Sequence, residues 1–276
     1  MARVLVTGGS RGIGRSICLR IAADALKRGE QLRIAVSATG ASPDLANLVA
    51  ELQAMGAEAL AVTGDLNDPA FPAQLVEQAV AFCGGLDTLV HNAGGAIAAP
   101  LVKVSLADWD TVFAINTRAF FLLAQAAHRH LRESGGSLCA IGSAASETVQ
   151  PYLGAYNAAK AALAMLVNQM AYEWGRHGIR VNCVSPGLTL SRSTEEALGS
   201  EADRARAGSH IPLRRVASPE DVAAAVAFVI GPDAAYITGE NINVDGGLRH
   251  NGSEAMLGEK ADDWAAQDAG RLRPQE

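Results

Sequence analysis

Short apolar runs alternate with longer amphipathic stretches along almost the whole chain. The runs are rich in Val, Ile, Leu and Ala and are bounded by polar residues or glycine, which is the pattern of strands buried on both faces. They fall at Arg3–Thr7, Leu32–Ser37, Ala59–Thr63, Thr88–His91, Ser137–Ser143, Arg180–Ser185 and Asn241–Val244. Between them a helical spacing of apolar positions predicts helices over Gly12–Lys27, Pro43–Met55, Pro72–Phe82, Trp109–Arg132, Ala155–Arg176 and Pro219–Ile230. Strands separated by helices pair in parallel through crossover connections, and right-handed crossovers place helices on both faces of one sheet. The pattern therefore predicts an α/β chain, doubly wound, with a parallel sheet of about seven strands. No internal repeat or low-complexity linker divides it, so residues 1–247 are expected to form one domain. Residues 188–213, richer in Ser, Arg, Glu and Gly, are expected to be a mobile segment over the substrate. Residues 248–276 read as a mostly polar tail in which Asp262–Ala266 has the pattern of a short helix.

The first strand runs directly into Gly8-Gly-Ser-Arg-Gly-Ile-Gly14, which opens a helix. In that context a glycine-rich turn binds phosphate: glycine allows close backbone approach, and the helix N-terminus offers free N–H groups and a positive dipole. Gly8, Ser10, Arg11, Gly12, Ile13 and Gly14 are the candidate contacts, and the domain is of the Rossmann type. Further along, Tyr156 and Lys160 stand four residues apart on a predicted helix and so share one face. An ammonium one turn from a phenol stabilises the phenolate, and Ser143, on the preceding strand, is placed to polarise a carbonyl that the phenol protonates.

With Asp65-Leu66, Asn92-Ala-Gly94, Asn116 and Pro186-Gly187 in order along the same chain, the sequence from Val4 to about Gly247 resembles the short-chain dehydrogenase/reductase family, single-domain type. The resemblance implies Ser143, Tyr156, Lys160 and Asn116 as the catalytic set. Tyr156 would be the proton donor in carbonyl reduction and Lys160 a ligand of the nicotinamide ribose. The backbone of Asn116 would hold a water beside the lysine. It implies further cofactor contacts at Ser37, Asp65, Leu66, Asn92, Ala93, Gly94, Pro186, Gly187, Thr189 and Ser191. One departure stands in the motif: His91 occupies a position that is usually Asn, and it reads as a structural residue. No carboxylate follows the second strand, and Arg11 is available to a 2′-phosphate, so NADP(H) is favoured over NAD(H).

Gly95, Ala96, Ala144, Ala145, Gln150, Tyr152 and Leu188 are the expected pocket walls. They describe a mainly apolar site for a ketone or secondary alcohol of cyclic or medium size. A 3-oxoacyl-thioester reductase serving an acyl carrier protein is the alternative. Ser134 and His177 stand where such relatives often carry basic residues, which weakens that reading. A catalytically silent nucleotide-binding protein is the alternative of another class, and the intact Ser-Tyr-Lys set speaks against it. The resemblance also implies a homotetramer, or at least a homodimer, built on Trp109–Arg132 and Ala155–Arg176. The mostly apolar circumference of the second of these helices fits a two-fold pairing.

Composition narrows the partners. A net charge of −6 with mixed signs leaves no basic footprint for nucleic acid. No apolar run reaches the roughly 18 residues of a membrane span, and the first residues lack a signal-peptide core. The four cysteines stand singly, with no C-x-x-C, as small buried hydrophobes of a reducing compartment, and the cytoplasm is the expected location. No metal-ligand spacing is present, so no metal is expected.

Overall fold

In a computed structural model, which describes residues 1–191, 194–195 and 198–253, seven parallel strands form one sheet in the order β3-β2-β1-β4-β5-β6-β7. The strands are β1 (Ala2–Thr7), β2 (Leu32–Ala38), β3 (Glu58–Thr63), β4 (Thr88–His91), β5 (Ser137–Ile141), β6 (Arg180–Pro186) and β7 (Asn241–Val244). The order reverses between β1 and β4, the crevice where ligands bind in open α/β sheets. Successive side chains of a strand serve opposite faces. Leu5 and Leu89 thus join α3 (Phe71–Cys83), α5 (Ala119–Ser134) and α6 (Gly154–Trp174) in one core. Val4, Val6 and Val90 join α1 (Gly12–Lys27), α2 (Pro43–Ala54) and α8 (Pro219–Ile230) in the other. All four cysteines are buried and free, as expected.

Three differences from the sequence expectation bear on the site. The long helix expected over Trp109–Arg132 begins earlier, at α4 (Leu106–Phe113), where the Ser105 side chain accepts from Asp108 N. It then passes through a π-helical turn, Ala114–Arg118, before continuing as α5. The fifth strand stops at Ile141, so Ser143 is not on a strand. It precedes a 3-10 turn, Ala144–Ser146, and its hydroxyl accepts from Ala145 N. Within the segment expected to be mobile, Glu201–Ser209 is a helix, α7, opened by a Ser200–Asp203 capping box. After β7 the chain turns through Leu248–Ser253, the first residues of the expected tail. The short helix expected at Asp262–Ala266 lies outside the described residues.

Candidate active site

The glycine turn is built by close packing. A Cβ on Gly14 would lie 2.2 Å from Gly8 O, and one on Gly9 would lie 2.3 Å from Val36 Cγ1, so α1 can press against β1 and β2 only with glycine there. Gly8 and Gly12 both take positive φ, 63° and 55°, which favours glycine. Arg11 precedes α1 in extended backbone and makes no side-chain cap, so the first-turn N–H groups of the helix stay available. They open on a cavity of about 900 Å³ that Gly8, Ser10, Arg11, Gly12, Ala38 and Thr39 help to line. A dinucleotide fits this set, because uncapped amides at a helix N-terminus suit a diphosphate and the missing side chains leave room for it. Asp65 also lines the cavity, and its carboxylate accepts from Asn67 N and Nδ2, both at 2.9 Å.

β4 is fastened to this turn by a threonine that sequence reasoning did not single out. Thr7 Oγ1 accepts from Asn92 N and Ala93 N, both at 3.2 Å, and lies 3.0 Å from His91 Nδ1. With two N–H donors already on the oxygen, the threonine proton goes to His91 Nδ1, which assigns the histidine tautomer with Nε2 protonated. His91 is fully buried against Phe120, and burial, helped by the charge of Lys160, pulls its pKa down to about 3. It is neutral at working pH and serves structure. Asn92 Nδ2 donates to Gly8 O at 2.8 Å, closing the loop between the two strands.

The reacting groups come from three elements. Tyr156 and Lys160 lie one turn apart on α6, and the ammonium sits 5.6 Å from the phenol ring centroid. Lys160 is buried, donates to Ile141 O at 2.7 Å, and is pulled down to about 8 by desolvation. Tyr156 behaves differently from the expectation. Burial raises its pKa, and the one opposing influence is a hydrogen bond with the Ser143 side chain. The lysine is engaged by the end of β5 and itself sheds a proton more readily, so the phenol gains little from it here.

Asn116 lies in the π turn, a distortion frequent at functional sites. Its Nδ2 donates to Gly95 O at 2.7 Å and to Val112 O at 2.8 Å, while Thr117 Oγ1 donates to Ala159 O at 2.8 Å on α6. A Cβ on Gly94 would lie 2.7 Å from Asn116 Oδ1 and 3.4 Å from Lys160 Nζ, so a side chain at this position would press on both the asparagine and the lysine.

Ser143, Tyr156 and Lys160 face a second cavity, of about 570 Å³, also lined by Ala96, Gln150, Pro186, Gly187, Leu188 and Thr189. Ile13, Asn92, Gly94, Gly95 and Ser191 line both cavities, so the two are contiguous. Several expected contacts lie elsewhere. Ser37 is buried beneath the nucleotide cavity and accepts Gly9 N on its carbonyl; Ala38 and Thr39, one and two residues later, face the space instead. The Leu66 side chain packs into the core. Ala144 and Ala145 are buried behind Ser143, and Tyr152 stands exposed with φ 64° rather than facing the cavity. Leu153, Thr194 and Leu248 line the second cavity and were not singled out from sequence. Among the described residues no group of three metal-ligating side chains exists, and no helix is long and apolar enough to cross a membrane.

A family profile described as enoyl-(acyl carrier protein) reductase matches residues 12–249. The chain belongs to the short-chain dehydrogenase/reductase family. It is 34% identical over 245 residues to a 3-oxoacyl-[acyl-carrier-protein] reductase of Staphylococcus aureus, covering 88% of this chain and 96% of the relative. It is 33% identical over 250 residues to an L-rhamnose 1-dehydrogenase (NAD(P)(+)) of a Sphingomonas species, covering 90% and 96%. A crystal structure of a short-chain dehydrogenase from Burkholderia cenocepacia in complex with NADP superposes with a TM-score of 0.81 at 38% identity, covering 90% of this chain and 97% of that one. This family member is therefore an oxidoreductase of the type that interconverts C=O and CH–OH with a nicotinamide cofactor.

Proposed function

We propose that this protein is an NADP(H)-dependent carbonyl reductase, reversible as a secondary-alcohol dehydrogenase, acting on a cyclic or medium-sized ketone. The carrying observation is that Ser143 and Tyr156 face the cavity that continues into the glycine-turn cavity. A ketone oxygen bound between the two hydroxyls receives the phenolic proton of Tyr156, while Ser143 orients it and stabilises its developing charge. A nicotinamide cofactor held along the glycine turn and Asn92-Ala-Gly94 would supply the hydride for the carbonyl carbon. The phenolate left behind is supported by its hydrogen bond with Ser143, and takes its next proton from solvent. In the reverse direction Tyr156 accepts the proton of the alcohol. Asn116 holds Gly95 and the π turn in place behind this set. Leu153, Leu188 and Ala96 give the cavity an apolar wall, with Gln150 as a polar anchor.

The NADP(H) preference is supported by the lining of the nucleotide cavity. Ala38 and Thr39 put no carboxylate where it would bond a ribose hydroxyl and repel a 2′-phosphate, and exposed Arg11 lies beside them. One structural neighbour, the short-chain dehydrogenase from Burkholderia cenocepacia, was crystallised in complex with NADP. Binding titrations with NADPH and NADH check this. Arg11→Ala is expected to weaken NADPH by about 1.5 kcal/mol, roughly tenfold, the low end for an exposed charge-assisted contact. NADH should weaken much less. Equal weakening of both would place the preference elsewhere.

A 3-oxoacyl-thioester is the second substrate reading, favoured by the acyl-carrier-protein reductase among the relatives. A turnover panel of ketones beside a 3-oxoacyl thioester, with each nicotinamide, separates the two. We further infer a homotetramer: α5 and α6 expose Phe121, Met165 and Tyr172, apolar surface that a two-fold pairing of these helices would cover. Light scattering is expected to give a tetramer of the 28.6 kDa chain, and a persistent monomer would contradict this.

A further inference from the structure

The chain beyond β7 does not leave the domain. Asp245 starts a turn in which its carboxylate accepts from Gly247 N and Arg249 N, both at 3.0 Å, while Leu248 N donates to Asp245 O at 3.0 Å. Gly246 and Gly247 take φ of 62° and 88° in succession, which reverses the chain. The turn is wedged in place on both sides. A Cβ on Gly187 would lie 2.7 Å from Asp245 Cα, and Cβ atoms on Gly246 and Gly247 would lie 2.8 Å from Ile211 and 3.0 Å from Pro212. Leu248 comes out of this turn as a wall of the cavity that holds Ser143 and Tyr156.

The next residue ties that wall to the opposite side. Arg249 Nη1 donates to Glu147 Oε2 at 3.1 Å. Glu147 stands four residues after Ser143, in the loop that carries Gln150 and Leu153 into the same cavity. Its carboxylate also accepts from Asn241 Nδ2 at 2.7 Å and from Asn243 Nδ2 at 3.3 Å, both on β7. One exposed carboxylate thus joins the loop after the serine, the last strand and the segment that follows it.

We propose that Leu248 is a specificity-determining residue of this cavity, held against it by the Glu147–Arg249 pair, and that it selects carbonyl substrates by the size of the apolar group placed toward Leu248 and Leu188. This rests on the reading of the cavity as a ketone site. Leu248 acts by contact with substrate; Glu147 and Arg249 are positioning residues that act through it. One extra or missing methylene in an apolar pocket shifts preference by about 10–200-fold, and shortening Leu248 to alanine removes more than one such group.

The test is steady-state kinetics of the full chain on methyl ketones from butanone to decanone, for wild type, Leu248→Ala, Leu248→Trp, Glu147→Gln and Arg249→Lys, with unfolding temperatures recorded. Leu248→Ala is expected to raise kcat/KM for the longest ketones relative to butanone by about tenfold. Leu248→Trp is expected to lower that ratio. Glu147→Gln, which loosens Leu248, should raise kcat/KM for the longer ketones relative to butanone severalfold while kcat for butanone stays within about twofold, and added salt should do the same to wild type but not to the variant. Arg249→Lys, which keeps the charge, should retain most of the wild-type ranking. An unchanged ranking in both folded Leu248 variants overturns the proposal. Absence of ketone turnover in wild type refutes the ketone reading instead. The indole fluorescence of Leu248→Trp, titrated against wild type with butanone, the ketone this variant should still admit, then decides the proposal alone: a saturable change supports it and no change overturns it.

Discussion

At the residue scale, the chemistry was legible because it depends on short spacings. Tyr156 and Lys160 are one helical turn apart in the sequence, and any helix through them puts both on one face. Ser143 was legible as a neighbour, although what fixes it is a turn after β5 and not the strand itself. Contacts made across the sheet were not legible. Thr7 holds Asn92 and Ala93 from 85 and 86 positions away, and nothing local marks it among the other threonines. Leu248 escaped for the same reason: its role depends on a turn that brings it back over residues a hundred positions earlier. His91 yields a pH prediction whose sign follows from burial. Its folded pKa, about 3, lies below the unfolded value of 6.5, so the unfolded state binds the proton first and stability falls as pH drops from 6.5 toward 3. Between pH 7 and pH 4.5 this amounts to about 2–3 kcal/mol. Chemical denaturation at the two pH values should show wild type losing that much more than His91→Asn. Equal losses would mean that the imidazole is not held neutral.

At the element scale, strands were read to within two residues, because runs of Val, Ile and Leu buried on both faces have sharp polar ends. Helix interiors were harder. Periodicity ran through Ala114–Arg118 unbroken, since a π turn costs one extra residue and leaves the apolar face nearly continuous. That turn is where Asn116 acts, so the one irregularity in the long helix is at the site. Helix α7 was missed because it buries almost nothing: among its residues only Gly208 is buried, and the helix is held by its Ser200–Asp203 cap and an Arg206–Asp203 pair. The same capping pattern opens α8, where Ser218 and Asp221 bond reciprocally and Glu220 accepts from Ser16 Oγ on α1 at 2.8 Å. Ser218→Ala is expected to cost about 1 kcal/mol of stability with kcat and cofactor affinity unchanged. A loss of activity at retained stability would show that α8 has a part in the site that its packing does not reveal.

At the scale of the whole molecule, the sheet order explains why the residues meet. The reversal between β1 and β4 opens the crevice in which the glycine turn and Asn92-Ala-Gly94 face each other. β5 and β6 continue the same edge and deliver Ser143 and Pro186-Gly187 to the adjoining cavity. This arrangement was legible from the alternation of elements. Cofactor preference and substrate size were less so, because they rest on where a strand ends and a terminal segment folds back. The central claim is that Tyr156 gives its proton to a carbonyl bound beside Ser143. It is tested most directly by Tyr156→Phe, which removes one oxygen and keeps the ring. Turnover of a ketone that wild type reduces should be measured together with NADPH affinity in the same preparation. The account predicts a fall in kcat of about 10²–10⁴-fold with the dissociation constant for NADPH within about threefold of wild type. Retention of more than about a tenth of wild-type kcat, with the cofactor bound as tightly, would contradict it.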